Sequence, residues 1–342
     1  MMEKWYEQEG AYREVVISSR VRLARNVEGR FFESKLTVPE KKALAEEISQ
    51  CLSRVRLEEE KSFSEISIES ADTLERRALV EQHLVSPEFI VSPEGRKALI
   101  SQDETLTFMI HEEDHVRMQG LHAGLGFENV YDVLSKLDDV LDSELHFSYD
   151  LRWGYLTACP TNLGTGLRAS AMLHLPMLEK TGTMPSLREQ LMKMGYTIRG
   201  TYGEGSRAQN SYYQISNEIT LGITEKRAMD ALSEIVKHLV NQEMELRQNN
   251  QSVALEDQIF RACGILKSAR LLTFEELMEG MSALRLGTSI GMFPSMTFEK
   301  MDGLQLELGE ATLMKNEKCN KPEEVAQRRA IIVREALTSV EI

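Results

Sequence analysis

The chain has 342 residues, a formal net charge of −14, and 42% hydrophobic and 27% charged residues. That acidic balance excludes a sequence-independent nucleic-acid binder, and no apolar run approaches the length of a membrane span. Cys51, Cys159, Cys263 and Cys319 are scattered without a Cys-x-x-Cys pair, which argues against a zinc framework or a disulfide scaffold and makes a reducing cytoplasm the simplest home.

In chain order, the charged start (Glu3, Lys4, Glu7, Glu9) does not read as a signal peptide. Val15-Val-Ile-Ser-Ser-Arg-Val-Arg22 then reads as a strand whose period of two sets Ser18, Arg20 and Arg22 on one face. Arginines on a strand are costly to bury unless an anion meets them; the competing reading is an exposed edge guarded against aggregation. Residues 39–52 read as a helix with proline in its first turn and acids early. Residues 104–110 read as a strand leading into His111-Glu-Glu-Asp-His-Val-Arg117, and Val130, Val133, Leu134, Leu137, Val140 and Leu141 mark an amphipathic helix.

The run Cys159-Pro-Thr-Asn-Leu-Gly-Thr-Gly-Leu-Arg-Ala-Ser170 is the most informative segment. Gly164 and Gly166 are expected to turn bare N–H groups toward an anion, with Arg168 opening a helix-like run through Ala169, Met172, Leu173 and Leu175. Gly-Lys-Ser/Thr does not follow, so this is not a Walker A loop. Arg199 closes a short strand before Gly200-Thr-Tyr-Gly203. Beyond residue 223 the pattern is almost wholly helical, with one stripe from Ala231 to Val240 and a capping box at Thr273-Phe-Glu-Glu276. The polar run 247–252 marks the join between a catalytic domain (1–250) and a helical C-terminal domain (251–342). Arg20, Arg22, Arg117, Arg168 and Arg199 thus sit in short strand or loop motifs of an acidic chain, and a polyphosphate is their natural common ligand.

Four segments in this order, Ser18-Ser-Arg-Val-Arg-Leu-Ala-Arg-Asn26, Glu112-Glu-Asp-His-Val-Arg117, Cys159 to Arg168, and Arg199-Gly-Thr-Tyr-Gly-Glu-Gly-Ser206, resemble the phosphagen (guanidino) kinase superfamily. Within it the likeness is greatest to the bacterial protein-arginine kinases, which lack the long helical domain that creatine and arginine kinases place before the first motif. The resemblance implies an α+β fold, an antiparallel sheet flanked by helices, with the helical domain serving dimerisation and regulation. It implies ATP as substrate, Mg²⁺ bound through the nucleotide, and a cytoplasmic homodimer. Its implied partners are proteins with exposed arginine (a heat-shock repressor, unfolded proteins), a small metal-binding activator and a Clp-type protease that degrades the marked proteins during stress.

Residue by residue, the resemblance places Ser18, Ser19, Arg20, Val21, Arg22, His83, Arg117, Arg168, Ala169, Ser170, Ala171, Met172, Arg199, Gly200, Thr201, Tyr202, Gly203 and Glu204 at the nucleotide. Cys159 falls beside the substrate guanidinium, and Glu113 and Glu204 take catalytic roles. The chemistry asks for such carboxylates, because a guanidinium with a pKa above ~12 is a poor nucleophile until a base pairs with it and takes a proton. By spacing alone, Glu112 and Asp114 compete with Glu113. Small-guanidino kinases carry a further glutamate where this chain has Arg207, which argues against a free-arginine or creatine kinase. Two alternatives stay open: a free-guanidino kinase, and a pseudokinase or adaptor that binds nucleotide or phosphoarginine without turnover. The family's phosphoarginine-binding Arg-Asp-x-x-Arg-Ala motif aligns here with Val325-Ala-Gln-Arg-Arg-Ala330, which lacks the first arginine and the aspartate. Phosphoarginine feedback is therefore not expected.

Overall fold

The computed structural model describes residues 3–54, 62–200 and 209–341. The catalytic part runs β1 (Val16–Arg25), α1 (Val38–Arg54), β2 (Phe63–Ser67), α2 (Thr73–Glu81), β3 (Lys97–Ser101), β4 (Leu106–Ile110), β5 (Val116–Ala123) and α3 (Phe127–Leu145). A small hairpin, β6 (Tyr149–Asp150) and β7 (Gly154–Tyr155), precedes β8 (Leu167–His174), α4 (Pro176–Lys180), α5 (Met184–Lys193), β9 (Tyr196–Gly200), β10 (Tyr212–Asn217) and α6 (Glu225–Asn249). The helical part comprises α7 (Val253–Ser268), α8 (Phe274–Ser289), α9 (Phe298–Glu307), α10 (Glu310–Glu317) and α11 (Pro322–Ala336).

Eight strands form one antiparallel sheet in the order β2-β3-β4-β5-β1-β8-β10-β9, which puts the first strand of the chain at its centre. Alternation along β1 drives Val21 and Leu23 to one face, where with Ala169, Ala171, Leu173 and Ile215 they join a core closed by α3 and α6. Burial of these side chains, worth roughly 25 cal/mol per Å² of apolar area, is the main force fixing this face. The opposite face is covered toward β3 and β4, where Leu79, Leu84, Val85 and Phe89 from α2 and its following turn pack on Ala98, Ile100 and Met109, and at Leu121 of β5, where Trp5, Tyr6 and Leu306 pack.

The segment after Arg168 is not the helix its alanine and methionine content suggests. It lies between β1 and β10, where its backbone groups are taken up on both sides by the ladder. Tertiary pairing overrides helix propensity here, and the buried Leu167, Ala169, Ala171 and Leu173 alternate with Arg168, Ser170 and Met172.

The helical part has its own apolar core, from Leu255 to Val340, joined by Met177 of α4. Thr273 and Glu276 form the expected capping box at the start of α8. Buried ion pairs lie where the two parts meet, and Arg13–Asp302 joins one part to the other. Arg13 and Arg285 both grip Asp302, and Arg247 pairs with Glu243 at 2.8 Å while donating to the carbonyls of Glu14 and His174. The 247–252 run is therefore less of a linker than its polarity suggests: α6 continues to Asn249, and Arg247 is fully buried. Among the described residues, no helix is long and apolar enough to cross a membrane.

Candidate active site

The uncovered centre of the sheet is the floor of a cleft of about 750 Å³. Strand register explains what lies on it. Arg22 stands opposite Gln119 on β5 and Arg168 on β8, Arg20 opposite Ser170, and Arg117 opposite Ala24. Gln214 of β10 sits between Met172 and Arg199. Arg20, Arg22, Arg117, Arg168 and Arg199 all line this one cleft, so four segments far apart in sequence converge there. The volume suits a nucleotide-sized ligand.

Like charges crowd here. Burial, then the charges of Arg117 and Arg168, push the Arg20 guanidinium down to about 10. Arg22 is driven well below its ordinary range by burial and by Arg20, Arg117 and Arg168, with Glu112 opposing. Arg168 is lowered by burial, Arg199 and Arg117. Protein contacts relieve little of this. Arg20 Nε reaches Ser170 Oγ at 3.4 Å, Arg168 Nη2 reaches Ser216 Oγ at 3.4 Å, and the buried Nε of Arg22 has no acceptor. Half-buried cations facing hydroxyls rather than carboxylates make a receptor for a multiply charged anion.

The acidic loop sorts its three carboxylates by environment. Glu112 is buried and holds Arg117 Nη1 at 2.5 Å while accepting from Ser86 Oγ and the Glu113 N–H. Burial pushes its pKa up, but Arg117, Ser86, the Glu113 amide and Arg22 outweigh it and hold Glu112 below the usual carboxylate range. Asp114 is also buried; it accepts from Asn26 Nδ2 and from the Ala158 N–H, both at 2.6 Å, and ties the end of β1 to the Cys159 segment. Of the three, Glu113 alone offers the cleft an accessible carboxylate, its side chain 47% exposed and 4.0 Å from Arg117 Nη2. Burial, with Glu112 and Asp114 adding to it against Arg117, raises its pKa. Glu113 is therefore the member of the loop able to take a proton from a ligand in the cleft.

The glycine loop does a different job from the anion cradle expected of it. The N–H groups of Gly164, Thr165 and Gly166 point to the carbonyls of Tyr155, Thr220 and Asn162. Gly164 (φ +110°) and Gly166 (φ +63°) are needed for close approach, since a Cβ would lie 2.4 Å from Thr220 O at the first and 2.6 Å from Ala24 O at the second. Anion recognition falls to side chains instead.

Alternation divides the other expected nucleotide residues. Ser18, Arg20, Arg22, Ser170 and Met172 line the cleft. Ser19, Val21, Ala169 and Ala171 present their side chains to the far face: Ser19 Oγ donates to Gly124 O, and the other three belong to the hydrophobic core. His83 lines the cleft with its φ at +60°, and burial together with the Arg20 charge lowers its pKa to about 4, so its ring is neutral at physiological pH. Gly200 ends β9. Cys159 begins the turn Pro160–Asn162, partly exposed, its Sγ 3.1 Å from Thr161 Oγ1 and within electrostatic reach of Arg168. Thr201, Tyr202, Gly203, Glu204 and Arg207 lie outside the described residues. Among the described residues, no group of three or more His, Cys, Asp or Glu is placed to hold a metal.

Several cleft residues carry no signal in the sequence. Ser86 and Gln119 are ordinary polar residues; only the fold sets Ser86 on Glu112 and Gln119 on the carbonyls of His83 and Leu84. Phe274, Gln305, Gly309 and Glu310 bring the helical part to the cleft wall. Alternation on β10 is the available clue to Gln214 and Ser216.

Comparisons with known proteins agree with this geometry. Residues 43–246 match the ATP:guanido phosphotransferase C-terminal catalytic domain, and residues 252–342 match the Protein-arginine kinase McsB C-terminal domain. The chain is 39% identical to the protein-arginine kinase of Clostridium novyi (strain NT) over 100% of both chains. It is 38% identical to that of Staphylococcus haemolyticus (strain JCSC1435) over 94% of this chain and 93% of the relative. Among solved structures, the duplicated taurocyamine kinase of Schistosoma mansoni with bound transition-state-analogue components is similar at a TM-score of 0.63 and 27% identity, over 81% of this chain and 40% of that one. A lombricine kinase, at 24% identity over 70% of this chain and 69% of that one, shares the fold with a TM-score of 0.62. An arginine-floored cleft, an accessible carboxylate beside it and full-length similarity together show that this chain belongs to the bacterial protein-arginine kinases of the ATP:guanido phosphotransferase family.

Proposed function

We propose that the chain transfers the γ-phosphoryl group of ATP to arginine side chains of proteins, with the arginine floor as nucleotide site and Glu113 as base. The observation that carries this reading is the convergence of Arg20, Arg22, Arg117, Arg168 and Arg199 on one cleft that Glu113 also lines. The phosphate chain lies along the guanidinium groups, which neutralise charge as it shifts toward the leaving oxygen. Glu113 pairs with the substrate guanidinium and accepts its proton as the N–P bond forms and the P–O bond to ADP breaks. Its raised pKa suits proton uptake. Glu112 keeps Arg117 in place, and His83, neutral, offers a polar ring beside the nucleotide without adding charge. Mg²⁺ is assigned to the phosphate oxygens of the nucleotide, and no protein step is routed through it.

Support for a protein substrate comes from the protein-arginine kinase relatives and from Arg207, a cation where small-guanidino kinases carry a glutamate. The division into 1–250 and 251–342 is supported by the separate apolar cores. Four free cysteines fit a reducing compartment. Marking of proteins for a Clp-type protease, the activator, the repressor substrate and the homodimer are supported by family likeness.

The test is incubation with MgATP and an arginine-rich unfolded protein, followed by detection of acid-labile phosphate on arginine, with free arginine in parallel. Phosphate on free arginine alone overturns the protein-kinase reading, and nucleotide binding without transfer to either favours the adaptor.

A further inference from the structure

We infer that Glu81 is a positioning residue through which the helical domain sets the nucleotide side of the cleft; this rests on the nucleotide reading above. Glu81 is the last residue of α2, yet its hydrogen bonds go to the other domain. Oε1 accepts from the Ala311 N–H, and Oε2 from the Thr312 N–H at 2.9 Å and Thr312 Oγ1 at 3.0 Å, so a carboxylate of the catalytic domain caps the first turn of α10. Negative charge is favoured at that end of a helix. The residue in front of α10 fits this contact closely. Gly309 precedes α10, and a Cβ on it would lie 2.4 Å from Glu81 Oε2, so the missing side chain makes room for the carboxylate.

The residues just after Glu81 form the wall of the site. Two positions on, His83 adopts a positive φ, and its carbonyl and that of Leu84 receive Gln119 Nε2 from the cleft floor. Ser86 then donates to Glu112, which holds Arg117. The path from α10 through Glu81 and the 83–86 turn to Arg117 is thus a continuous series of contacts. Exposed pairs flank it: Arg77 with Glu310 at 3.2 Å and Lys315 with Glu75 at 3.0 Å, which align α2 with α10 but face solvent and contribute little. Glu81 itself borders the cleft, but both of its carboxylate oxygens are taken up by α10. Its effect is on where the turn bearing His83 and Ser86 sits over the arginine floor.

A mere helix cap would lower stability and leave substrate affinities alone. A positioning role splits them. Glu81→Ala is expected to raise KM for ATP and Kd for ADP by about tenfold, equivalent to about 1.4 kcal/mol, with KM for the protein substrate within about twofold. Gly309→Ala, which keeps the carboxylate in the chain but pushes its flexible end off α10, is expected to act in the same direction by a smaller factor, and the double variant to be no worse than Glu81→Ala alone, because both break one contact. Calorimetric ADP titration of the full chain reads this without turnover. ADP affinity unchanged in a folded Glu81→Ala protein, or additive effects in the double variant, overturns the inference. If Glu81→Ala does not fold, Glu81→Gln and Gly309→Ala decide, and parent-like ADP affinity in both overturns it. A parent chain that binds no ADP instead overturns the nucleotide reading, which separates the two failures.

Discussion

Two groups of arginines in this molecule, one buried and one half-buried, obey opposite rules. At the junction of the domains, Arg13, Arg247 and Arg285 are matched by Asp302 and Glu243; within the catalytic part, Arg25 sits in a bidentate pair with Asp138, its guanidinium 3.5 Å over the Tyr155 ring. In the cleft, Arg20 and Arg168 reach serine hydroxyls, the buried Nε of Arg22 has no acceptor, and other arginines outweigh the carboxylates of Glu112 near Arg22 and Glu218 near Arg168. The first group has its anions supplied by the chain and holds the structure together. The second is desolvated among like charges, a cost that a ligand carrying several negative charges offsets. One residue type therefore marks both the architecture and the site, and the partner tells which.

The sharpest test begins beside the cleft group. Glu113→Gln keeps the shape and removes the base, so transfer is expected to fall by about 10²–10⁴-fold while ADP affinity stays within about twofold. Substantial phosphorylation by this variant would move the base elsewhere. Next, Arg247→Ala leaves Glu243 buried without its cation and is expected to cost about 3–5 kcal/mol of stability in denaturant titrations, while Arg285→Ala, after which Arg13 still pairs with Asp302, is expected to cost less. By contrast, Arg22→Ala or Arg168→Ala is expected to weaken ATP binding by about 1.5–3 kcal/mol for each charge-assisted hydrogen bond removed. Stability should hold or rise, since like-charge crowding is relieved. The contrast between the two groups fails if Arg22→Ala destabilises the fold as Arg285→Ala does. Arg25→Ala belongs with the junction group: lower stability, with nucleotide affinity in the remaining folded protein near that of the parent.

Acid should act on architecture and site differently. His111 is fully buried and lowered to about 4 by burial, so below about 6.5 the unfolded chain binds a proton that the folded chain refuses. Its stabilising contribution is complete above about pH 6.5 and is lost as pH falls, at about 1.4 kcal/mol per unit down to about 4. His174, held far below its usual range by burial and by Arg247 and Arg285, adds to the same loss. Chemical denaturation at about pH 7 and about pH 5 measures it, and equal stability at both would refute the neutral buried histidines. The acid limb of kcat/KM should instead follow Glu113 and lie above the ordinary glutamate range, because its pKa is raised. The smallest expected effect is none at all. Arg329 donates to Leu308 O and Leu272 O, both at 2.8 Å, with Val325 buried beside it, so added phosphoarginine should neither bind the C-terminal part nor change activity. Saturable binding in calorimetry that depends on Arg329 would contradict this.

Local patterns made much of the fold legible in the chain. The alternation in β1, the stripes of α3 and α6 and the capping box of α8 are of this kind, and the antiparallel α+β fold agrees with the resemblance drawn from four motifs. The segment after Arg168 misled, because alanine, methionine and leucine carry helix propensity and only a strand neighbour on each side tells otherwise. The glycine pair misled for a related reason: a Gly-x-Gly turn serves an anion or a close backbone approach equally well, and the carbonyl that needed the room, Thr220 O, comes from much later in the chain.

By itself, then, the sequence determined which residues carry charge in unusual places and which periodicities build the sheet and helices, since those depend on neighbours within a few positions. Spacing alone could not rank Glu112, Glu113 and Asp114, which are chemically alike and adjacent, although the resemblance pointed to Glu113. Tertiary structure ranked them, by setting Arg117 and Ser86 on the first and Asn26 with Ala158 on the third, and leaving the second open to the cleft. The same holds for the two kinds of arginine and for Glu81: a side chain's role was decided by distant partners, 289 residues away in the case of Arg13 and Asp302, and such pairings exist only once the chain has folded.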